Sequence, residues 1–288
     1  MENNDRKGWI GGSDIASIMG IGWKTPLQVW AEKTGKIEPE DISEKENVWI
    51  GTRAEDFIAK LFEEKSGMKV RRLPETFRYT HSKHPFMRCQ IDRLIQGEDE
   101  NVEIKNVGEY RREEWEGDQM PAEVICQVQW GLGITGRKRG WGVALVGGNK
   151  LRYKPMDFDY EFFRKMEESA LIFWEKFVLA DVAPIAVSGD EQLICDLTTT
   201  NDNQTLELSE EWETALAREL ELAGQIKSLE EEKDNIKARI KQVVAGHTGI
   251  KTTNFFAKRI DVKACEYMVK RDASWYVRTY KNKEKKDV

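Results

Sequence analysis

The stretch from residue 86 to residue 107 constrains the fold more than any other part of the chain. It contains two β-rich segments, 86–95 and 102–107, on either side of a polar turn that includes Gly97. This arrangement predicts a β-hairpin. Since side chains alternate between the two faces of a strand, Glu103 and Lys105 are expected to share one face.

The register of this hairpin decides which charged groups meet. If the turn pairs Ile95 with Val102, Asp92 lies opposite Lys105 and on the same face as Glu103. Apolar residues of the two strands are then expected to point the other way, towards a core: Ile91, Val102 and Ile104. Burying three charges at a sheet edge is costly unless they pair with one another or hold a metal ion.

The pattern Asp92…Glu103-x-Lys105 is typical of a metal site. Two neighbouring carboxylates repel each other unless a cation lies between them, and oxygen ligands favour Mg²⁺ or Mn²⁺. A lysine beside them can orient a water molecule and offset charge on a phosphate, as in metal-dependent phosphodiesterases. Taken alone, the pattern also fits an ordinary ion-paired hairpin.

A second candidate site lies near the beginning of the chain. Gly11 and Gly12 precede Ser13, which is expected to be the N-cap of a short helix that ends near Met19. Exposed backbone N–H groups at such a helix start can bind an anion, and Arg6 is close enough in sequence to help bind a phosphate. An ordinary capped turn explains the same residues equally well.

The remaining pattern alternates between helices and strands. Pro26 is expected to begin a helix that ends at Gly35, and Gly67 to end a helix over 44–65 with a stripe of Ile50, Ala54, Phe57/Ile58 and Leu61/Phe62. Further helices are predicted over 121–135 and 159–180, with a loop or frayed helix over 109–119. Strands are predicted over 68–73, 76–80, 140–146 and 150–156.

The pattern changes in the last third of the chain. We predict a core over 1–187, a linker over 188–208, a helical or coiled-coil arm over 209–246 and a basic, aromatic tail of unknown role over 247–288. The arm has heptad spacing, with Ile226 and Ile240 at a positions and Leu229 and Ile236 at d positions. Residues 246–288 carry 11 Lys and Arg against 5 Asp and Glu, although the whole chain has a net charge of −6.

Composition excludes several classes of protein. There is no apolar run long enough to span a membrane and no secretory signal, so we expect a cytoplasmic protein without membrane contact. The four cysteines (Cys89, Cys126, Cys195 and Cys265) are scattered and lack metal-type spacing, which indicates reduced thiols.

Several of these signals occur in one order: Gly-Gly-Ser-Asp14, Gly51-Thr-Arg-Ala-Glu55, Asp92, Glu103-Ile-Lys105 and Gln127-Val-Gln-Trp130. Over about residues 6–180 the chain resembles the lambda-type phage exonucleases, which are the YqaJ-like viral recombinase family of the PD-(D/E)XK nuclease superfamily. Two positions depart from the pattern. Ile91 replaces the proline of the superfamily name, and Gln90 stands where lambda-type enzymes have a small hydroxyl residue that contacts phosphate.

The resemblance implies a fold and a set of roles. The fold would be α/β (α+β), with a restriction-endonuclease-like core whose central mixed β-sheet is flanked by helices, followed by the helical arm and the small tail. Asp92 and Glu103 would bind two Mg²⁺ ions, which Mn²⁺ can replace, with help from Glu55 and the backbone carbonyl of Ile104. The other roles are these: Lys105 would activate water, Gln127 would orient the nucleophile or the phosphate, and Arg6 and Ser13 would bind the 5′ phosphate.

The activity that the resemblance implies is digestion of one strand of linear double-stranded DNA from its 5′ end, leaving a 3′ overhang for phage-type recombination by single-strand annealing. Implied partners are DNA ends, a single-strand annealing protein and further copies of the chain, in a trimeric ring in some members. Two alternatives remain at this point. One is a RecB-like or Cas4-like repair nuclease, and the other is a non-catalytic scaffold that binds DNA ends during recombination.

Overall fold

The computed structural model describes residues 3–198, 205, 207 and 209–263. The contacts divide the chain into two compact units, 1–197 and 198–288. The first unit holds every candidate site residue. In chain order its regular helices are α1 (Gly12–Ile18), α2 (Pro26–Lys33), α3 (Glu46–Ser66), α4 (Ala122–Thr135), α5 (Tyr160–Phe173) and α6 (Glu191–Leu197). Its strands are β1 (Val70–Arg72), β2 (Tyr79–Thr80), β3 (Arg88–Cys89), β4 (Arg93–Ile95), β5 (Glu100–Val107), β6 (Arg139–Val146) and β7 (Lys150–Asp157).

A mixed five-stranded sheet forms the centre of this unit. Its strand order is β1-β4-β5-β6-β7, and β2 and β3 form a separate two-stranded ribbon. The central pair β5 and β6 is parallel, whereas the flanking pairs are antiparallel. A parallel pair needs a crossover connection, and the segment between these strands supplies it through a 3-10 helix (Glu109–Trp115) and α4.

Helices cover both faces of the sheet. On one face, Ile58 and Phe62 of α3 pack against Val102 and Ile104 of β5. On the other face, apolar residues of α4 pack against the opposite sides of β5 and β6; the buried members of this cluster are Val107, Trp115, Val124, Val128, Leu132, Ala144 and Val146. A third cluster joins α1, α2, α4 and α5 to the β2–β3 ribbon. The fold is therefore a layered α/β structure with an enclosed central sheet, as predicted.

Local sequence signals explain where most helices begin and end. Thr25 caps α2 and accepts a hydrogen bond from the Gln28 backbone N–H at 3.1 Å, and Pro26 is the first helical residue. Gly67 ends α3 with a φ of 77°, a left-handed conformation that glycine adopts without strain. Two positions of the predicted α3 stripe are wrong, because Ile50 and Phe57 are 42% and 55% exposed.

The predicted hairpin forms, but its register differs from the prediction by two residues. Arg93 pairs with Val102 and Leu94 with Asn101, since β5 begins at Glu100 and the turn is shorter than expected. Continuing this register places Asp92 opposite Glu103 rather than Lys105. A shift of two residues keeps every side chain on its face, so the charged groups still meet. The chain is not a continuous strand between Cys89 and Arg93, and Ile91 therefore packs in the cluster around α1 rather than with Ile104.

The predicted linker is partly helical. Helix α6 lies within 188–208, and its Leu193 is buried in the core of the first unit. Within 109–119, where a loop or frayed helix was predicted, the structure has a 3-10 helix, Glu109–Trp115. The helix expected over 159–180 is regular only to Phe173 and continues as a π-helical segment, Trp174–Leu179.

The second unit contains the arm and a small hairpin. The arm is one helix, α7 (Glu210–Val244), followed by strands β8 (Gly249–Lys251) and β9 (Phe256–Lys258). Most heptad positions of α7 are exposed, including Ile226 at 56% and Leu229 at 63%. Trp275, Tyr276 and Tyr280 of the predicted aromatic tail, like Cys265, lie outside the described residues. None of the described helices is both long and apolar enough to cross a membrane.

Candidate active site

A polar pocket of about 360 Å³ gathers most of the predicted site residues. Arg6, Ser13, Glu55, Asp92, Glu103 and Gln127 line it, together with Trp9, Gly11, Gly12, Arg78, Cys89 and Gln90. These residues come from the N-terminal 3-10 turn, from the first turn of α1, from α3, from the end of β3 and the residues after it, from the middle of β5 and from α4. The fold therefore brings together side chains that are separated by more than one hundred residues in the sequence.

Asp92 is a half-buried acid that lines this pocket. One of its carboxylate oxygens accepts a hydrogen bond from the backbone N–H of Ile104 at 2.8 Å. Burial, and then the nearby Glu103 carboxylate, raise the pKa of Asp92 to about 8. A buried carboxylate next to another carboxylate is stable as an anion only if a positive charge compensates it.

Lys105 supplies part of that positive charge. Its ammonium group lies 2.6 Å from Glu103 Oε1. Burial alone would lower the pKa of Lys105, but the carboxylates of Glu103 and Asp92 raise it above its ordinary value. The lysine is therefore a cation beside two acids, and one cation leaves a net negative charge when both carboxylates are ionised. An oxygen-rich group with excess negative charge fits a divalent ion such as Mg²⁺.

Glu55 is held away from a tight three-carboxylate cluster. Its carboxylate pairs with Arg93, whose guanidinium also contacts Asp56 at 2.5 Å. Among the described residues, the carboxylates of Glu55, Asp92 and Glu103 do not form a group within 4.8 Å of one another. Arg93 itself is buried, with its side chain 3% exposed. The sequence did not predict the role of Arg93, because the position of an arginine in a strand does not show that its side chain will contact a helix.

The two glutamines of α4 have different environments. Gln129 uses its whole amide in structural hydrogen bonds, donating to the Asp157 carbonyl at 2.8 Å and accepting from the Asp159 backbone N–H at 2.9 Å. Gln127 faces the pocket, and its Oε1 is buried and has no hydrogen-bond partner among the residues that the structure describes. A buried amide oxygen without a partner is unusual. Gln127 can therefore accept a hydrogen bond from a molecule that enters the pocket.

The first turn of α1 forms the other wall of the pocket. The N-cap is Gly11, not Ser13 as predicted, because the Asp14 side chain accepts a hydrogen bond from the Gly11 backbone N–H at 2.9 Å. Ser13 lies within the helix, where its hydroxyl accepts a hydrogen bond from the Arg6 guanidinium at 3.2 Å. Gly12 allows a close approach, since an added Cβ would lie 3.3 Å from Gln127 Cα.

A buried ion pair supports this turn. Lys33 donates to Asp14 at 2.8 Å and to the backbone carbonyl of Arg6 at 2.7 Å. Burial would raise the pKa of Asp14, but Lys33 and Arg6 hold it below its ordinary value. The pair thereby fixes both ends of the segment that carries Arg6 and Ser13. Lys33 is the last residue of α2, where a lysine is commonly an exposed partner of the helix dipole, so the sequence offered no signal for this role.

The segment that carries the pocket residues also matches a known protein family. Residues 3–138 match the YqaJ-like viral recombinase domain. The uncharacterized protein YqaJ of Bacillus subtilis (strain 168) is 32% identical over 243 residues, which span 82% of this chain and 75% of that protein. The chain belongs to the YqaJ-like viral recombinase family. The match to the domain includes Arg6, Ser13, Glu55, Asp92, Glu103, Lys105 and Gln127 by position.

Two solved structures share the fold of this YqaJ-like chain. An alkaline exonuclease (LHK-Exo) from Laribacter hongkongensis has a TM-score of 0.53 and 16% sequence identity, over 62% of this chain and 92% of that chain. The structure of LHK-Exo in complex with dAMP gives a TM-score of 0.51 at the same identity, over 62% and 91%. At this identity the likeness concerns the fold alone. It confirms the predicted restriction-endonuclease-like core.

Proposed function

We propose that this protein is a Mg²⁺-dependent 5′-to-3′ exonuclease that digests one strand of linear double-stranded DNA and leaves a 3′ single-stranded overhang. The observation that carries the proposal is the half-buried Asp92 near Glu103 and Lys105, at a pocket where the amide oxygen of Gln127 has no partner among the described residues. Family membership supports it, and so do the solved structures of the same fold, which are named as alkaline exonucleases.

The residues present fit a divalent metal ion. Asp92 and Glu103 would hold it, with the carbonyl of Ile104 and, after release from Arg93, the carboxylate of Glu55 as further ligands. When bound, Mg²⁺, in one or two ions, supplies Lewis-acid activation of water and neutralises charge at the scissile phosphodiester. Mn²⁺ favours the same oxygen ligands and is expected to substitute.

The side chains of the pocket then have separate tasks. Lys105 holds the Glu103 carboxylate in place and presents an ammonium group that can orient the attacking water and offset charge on the phosphate. Gln127 accepts a hydrogen bond through Oε1, either from that water or from a DNA hydroxyl. Arg6 and the Ser13 hydroxyl, already joined by a hydrogen bond, donate to the 5′ phosphate.

The proposed partners follow from the proposed reaction. The substrate is an end of double-stranded DNA, and the product strand is the substrate of a single-strand annealing protein, beside which this enzyme would work in phage-type recombination in the cytoplasm of a bacterial host. We also propose self-assembly, with the trimeric ring as the form to test first.

A digestion assay tests the reaction and its direction together. Linear duplex labelled at either the 5′ or the 3′ end is incubated with the protein and Mg²⁺, and circular duplex is the control for endonuclease activity. We expect loss of the 5′ label first and no cutting of the circle. Asp92→Asn and Lys105→Ala should each lower the rate at least ~10²-fold, because each removes charge that acts on the reacting phosphate. Binding of duplex ends by both variants should survive.

Asp99→Asn is the matched control, since Asp99 lies on the same hairpin, is 79% exposed and pairs with Arg137 outside the pocket. Undiminished digestion by Asp92→Asn or Lys105→Ala would reject the site. A separate comparison of 5′-phosphorylated and 5′-hydroxyl ends tests the phosphate contact. Arg6→Ala should remove the preference for the phosphorylated end, whereas Lys7→Ala, which loses a contact with Glu38, should keep it.

A further inference from the structure

Two histidines and a glutamate converge at a place away from the pocket described above. His81 and His84 lie on the loop between β2 and β3, and Glu167 lies on α5. The Nε2 atoms of His81 and His84 are 3.6 Å and 3.8 Å from the same oxygen, Glu167 Oε1. One ligand atom from each of the three side chains lies within 4.8 Å of the other two.

The imidazole of His81 is half-buried, and its Nδ1 atom is fully shielded from solvent. Its side chain is 11% exposed, and its Nδ1 has no hydrogen-bond partner in the described part of the chain. Its Nε2 is too far from Glu167 for a hydrogen bond. Buried polar groups normally have a partner. Hydrogen bonding between these side chains therefore does not explain the arrangement. Both imidazoles lie next to the same carboxylate, and neither is close enough to form a hydrogen bond with it.

The backbone keeps the two histidines in place. The N–H of His81 donates to the carbonyl of Met87, and the N–H of Met87 donates to the carbonyl of His84, both at 2.9 Å. The loop is closed at its base by the β2–β3 pairing. Phe86 of the same loop stacks on Trp174, with ring centroids 4.8 Å apart. These contacts fix the backbone of the loop that carries the two histidines without any contribution from a metal ion.

The chemistry of the donors selects the metal. Two imidazole nitrogens and one carboxylate oxygen suit Zn²⁺, whereas Mg²⁺ prefers oxygen ligands alone. In a regular tetrahedral site with bonds of about 2.0–2.1 Å, ligand atoms lie ~3.3 Å apart. The two distances to Glu167, 3.6 Å and 3.8 Å, need a few tenths of an ångström of closure. The imidazole rings, which stack in parallel with centroids 5.2 Å apart, must also rotate so that a nitrogen of each faces the same ion.

We propose that His81, His84 and Glu167 bind one zinc ion, with water as the fourth ligand, and that this ion joins the β2–β3 loop to α5. The site would have a structural effect on the neighbouring pocket. Met87 of the loop forms a β-bridge with Ile10, directly before the turn that carries Ser13, and β3 leads to Asp92. The proposal does not depend on nuclease activity.

Zinc binding to the full-length chain without a histidine tag tests the proposal. The protein is equilibrated with ZnCl₂ in excess Mg²⁺, which occupies the oxygen-rich pocket, and bound zinc is measured by elemental analysis after gel filtration. We expect one equivalent of zinc per chain. Zinc at about one hundred times its dissociation constant should raise the melting temperature by roughly 5 °C or more.

The variants His84→Gln and Glu167→Gln remove one ligand each from partly exposed positions, so neither depends on refilling a buried space. Each should weaken zinc binding by more than the ~10–100-fold that loss of an outer-shell partner costs. His247→Gln is the control, because His247 is the third histidine of the chain and is exposed in the second unit. Asp92→Asn is a second control that keeps this site and alters the pocket.

Two results would overturn the proposal. One is the absence of stoichiometric zinc on the unmodified chain. The other is equal zinc binding by the unmodified chain, His84→Gln and Glu167→Gln, which would place the metal elsewhere. Zinc binding that Asp92→Asn abolishes and Glu167→Gln does not would likewise assign the ion to the nuclease pocket.

Discussion

At the scale of single residues, the ionisation of Asp92 links the structure of the pocket to its chemistry. The folded state raises the pKa of this carboxyl from 3.8 to about 8, by burial and by the charge of Glu103. Between those two pH values the folded, metal-free chain keeps a proton that the unfolded chain has lost. The contribution of this group to stability is therefore present at low pH and is lost as the pH rises through about 8.

Metal binding should reverse the preference of the folded chain for protonated Asp92, which gives a prediction about pH dependence. Mg²⁺ needs the ionised carboxylate, so its binding should release a proton below pH 8. We expect Mg²⁺ affinity to increase by up to about tenfold per pH unit between pH 6.5 and 8 and then to level off. Calorimetric titration in two buffers with different ionisation enthalpies measures both the affinity and the number of protons released.

Asp92→Asn is the control for this titration, because an amide cannot release the proton. The variant should bind Mg²⁺ more weakly and with little dependence on pH. A constant Mg²⁺ affinity of the unmodified chain from pH 6.5 to 8 would contradict the assignment of Asp92 as a ligand.

Side-chain direction explains which residues of the pocket the sequence could predict. Asp92, Glu103 and Lys105 were predictable as neighbours because a hairpin fixes which strand residues share a face. Gln127 was distinguishable from Gln129 only by the family resemblance, since both glutamines occur in the same apolar helix. Lys33 was not predictable, because its contact with Asp14 depends on how α1 packs against α2.

At the scale of elements, the hairpin of β4 and β5 shows which features of a sheet the local sequence pattern predicts. Alternation of apolar and charged residues specified the faces of both strands, and the structure confirms them for Val102 and Ile104. The register was wrong by two residues because alternation has a period of two and cannot distinguish registers that differ by that number. The length of the turn decides between them, and polar residues such as Glu100 fit a turn or a strand equally well.

The contact between α3 and β4 depends on the buried guanidinium of Arg93, which leads to a prediction about stability. Arg93→Met removes the contacts with Glu55 and Asp56 and leaves the Glu55 carboxylate near Asp92 without a partner. Since hydrogen bonds to charged groups contribute about 1.5–3 kcal/mol each, the free energy of unfolding should fall by about 2–4 kcal/mol. Urea unfolding in a metal-free buffer measures it.

Arg72→Met is a matched control on the neighbouring strand β1. Arg72 also lies near Asp56, at 3.5 Å, but its side chain is 43% exposed. Exposed ion pairs contribute about 0–1 kcal/mol, so this variant should unfold almost like the unmodified chain. An equal loss of stability in the two variants would show that burial of Arg93 has no special effect.

At the scale of the whole molecule, the chain consists of two units with different kinds of surface. The first unit encloses three apolar clusters around its sheet and helices. In the described part of the second unit, Val244 is the one buried residue of α7, and the heptad positions lie open to solvent. A 35-residue helix with such a stripe is typical of a helix that packs against another helix. The arm is therefore a candidate element for the proposed self-assembly.

The boundary of the first unit gives the last prediction, which compares two truncations. A chain that ends at residue 208 should keep the melting temperature of the first unit within about 2 °C, because that unit has its own core. A chain that ends at residue 187 loses the buried Leu193 and the hydrogen bond from the Thr25 hydroxyl to the fully buried Asp190. These losses amount to about 3 kcal/mol or more.

For a unit of this size, such a loss should lower the melting temperature by roughly 6–12 °C. Differential scanning calorimetry of both truncated chains measures the difference. A chain that ends at residue 187 and melts together with the longer one would show that α6 does not belong to the core, as the sequence prediction of a linker from residue 188 assumed. A large loss of stability in the chain that ends at residue 208 would instead show that the first unit depends on the arm or the tail.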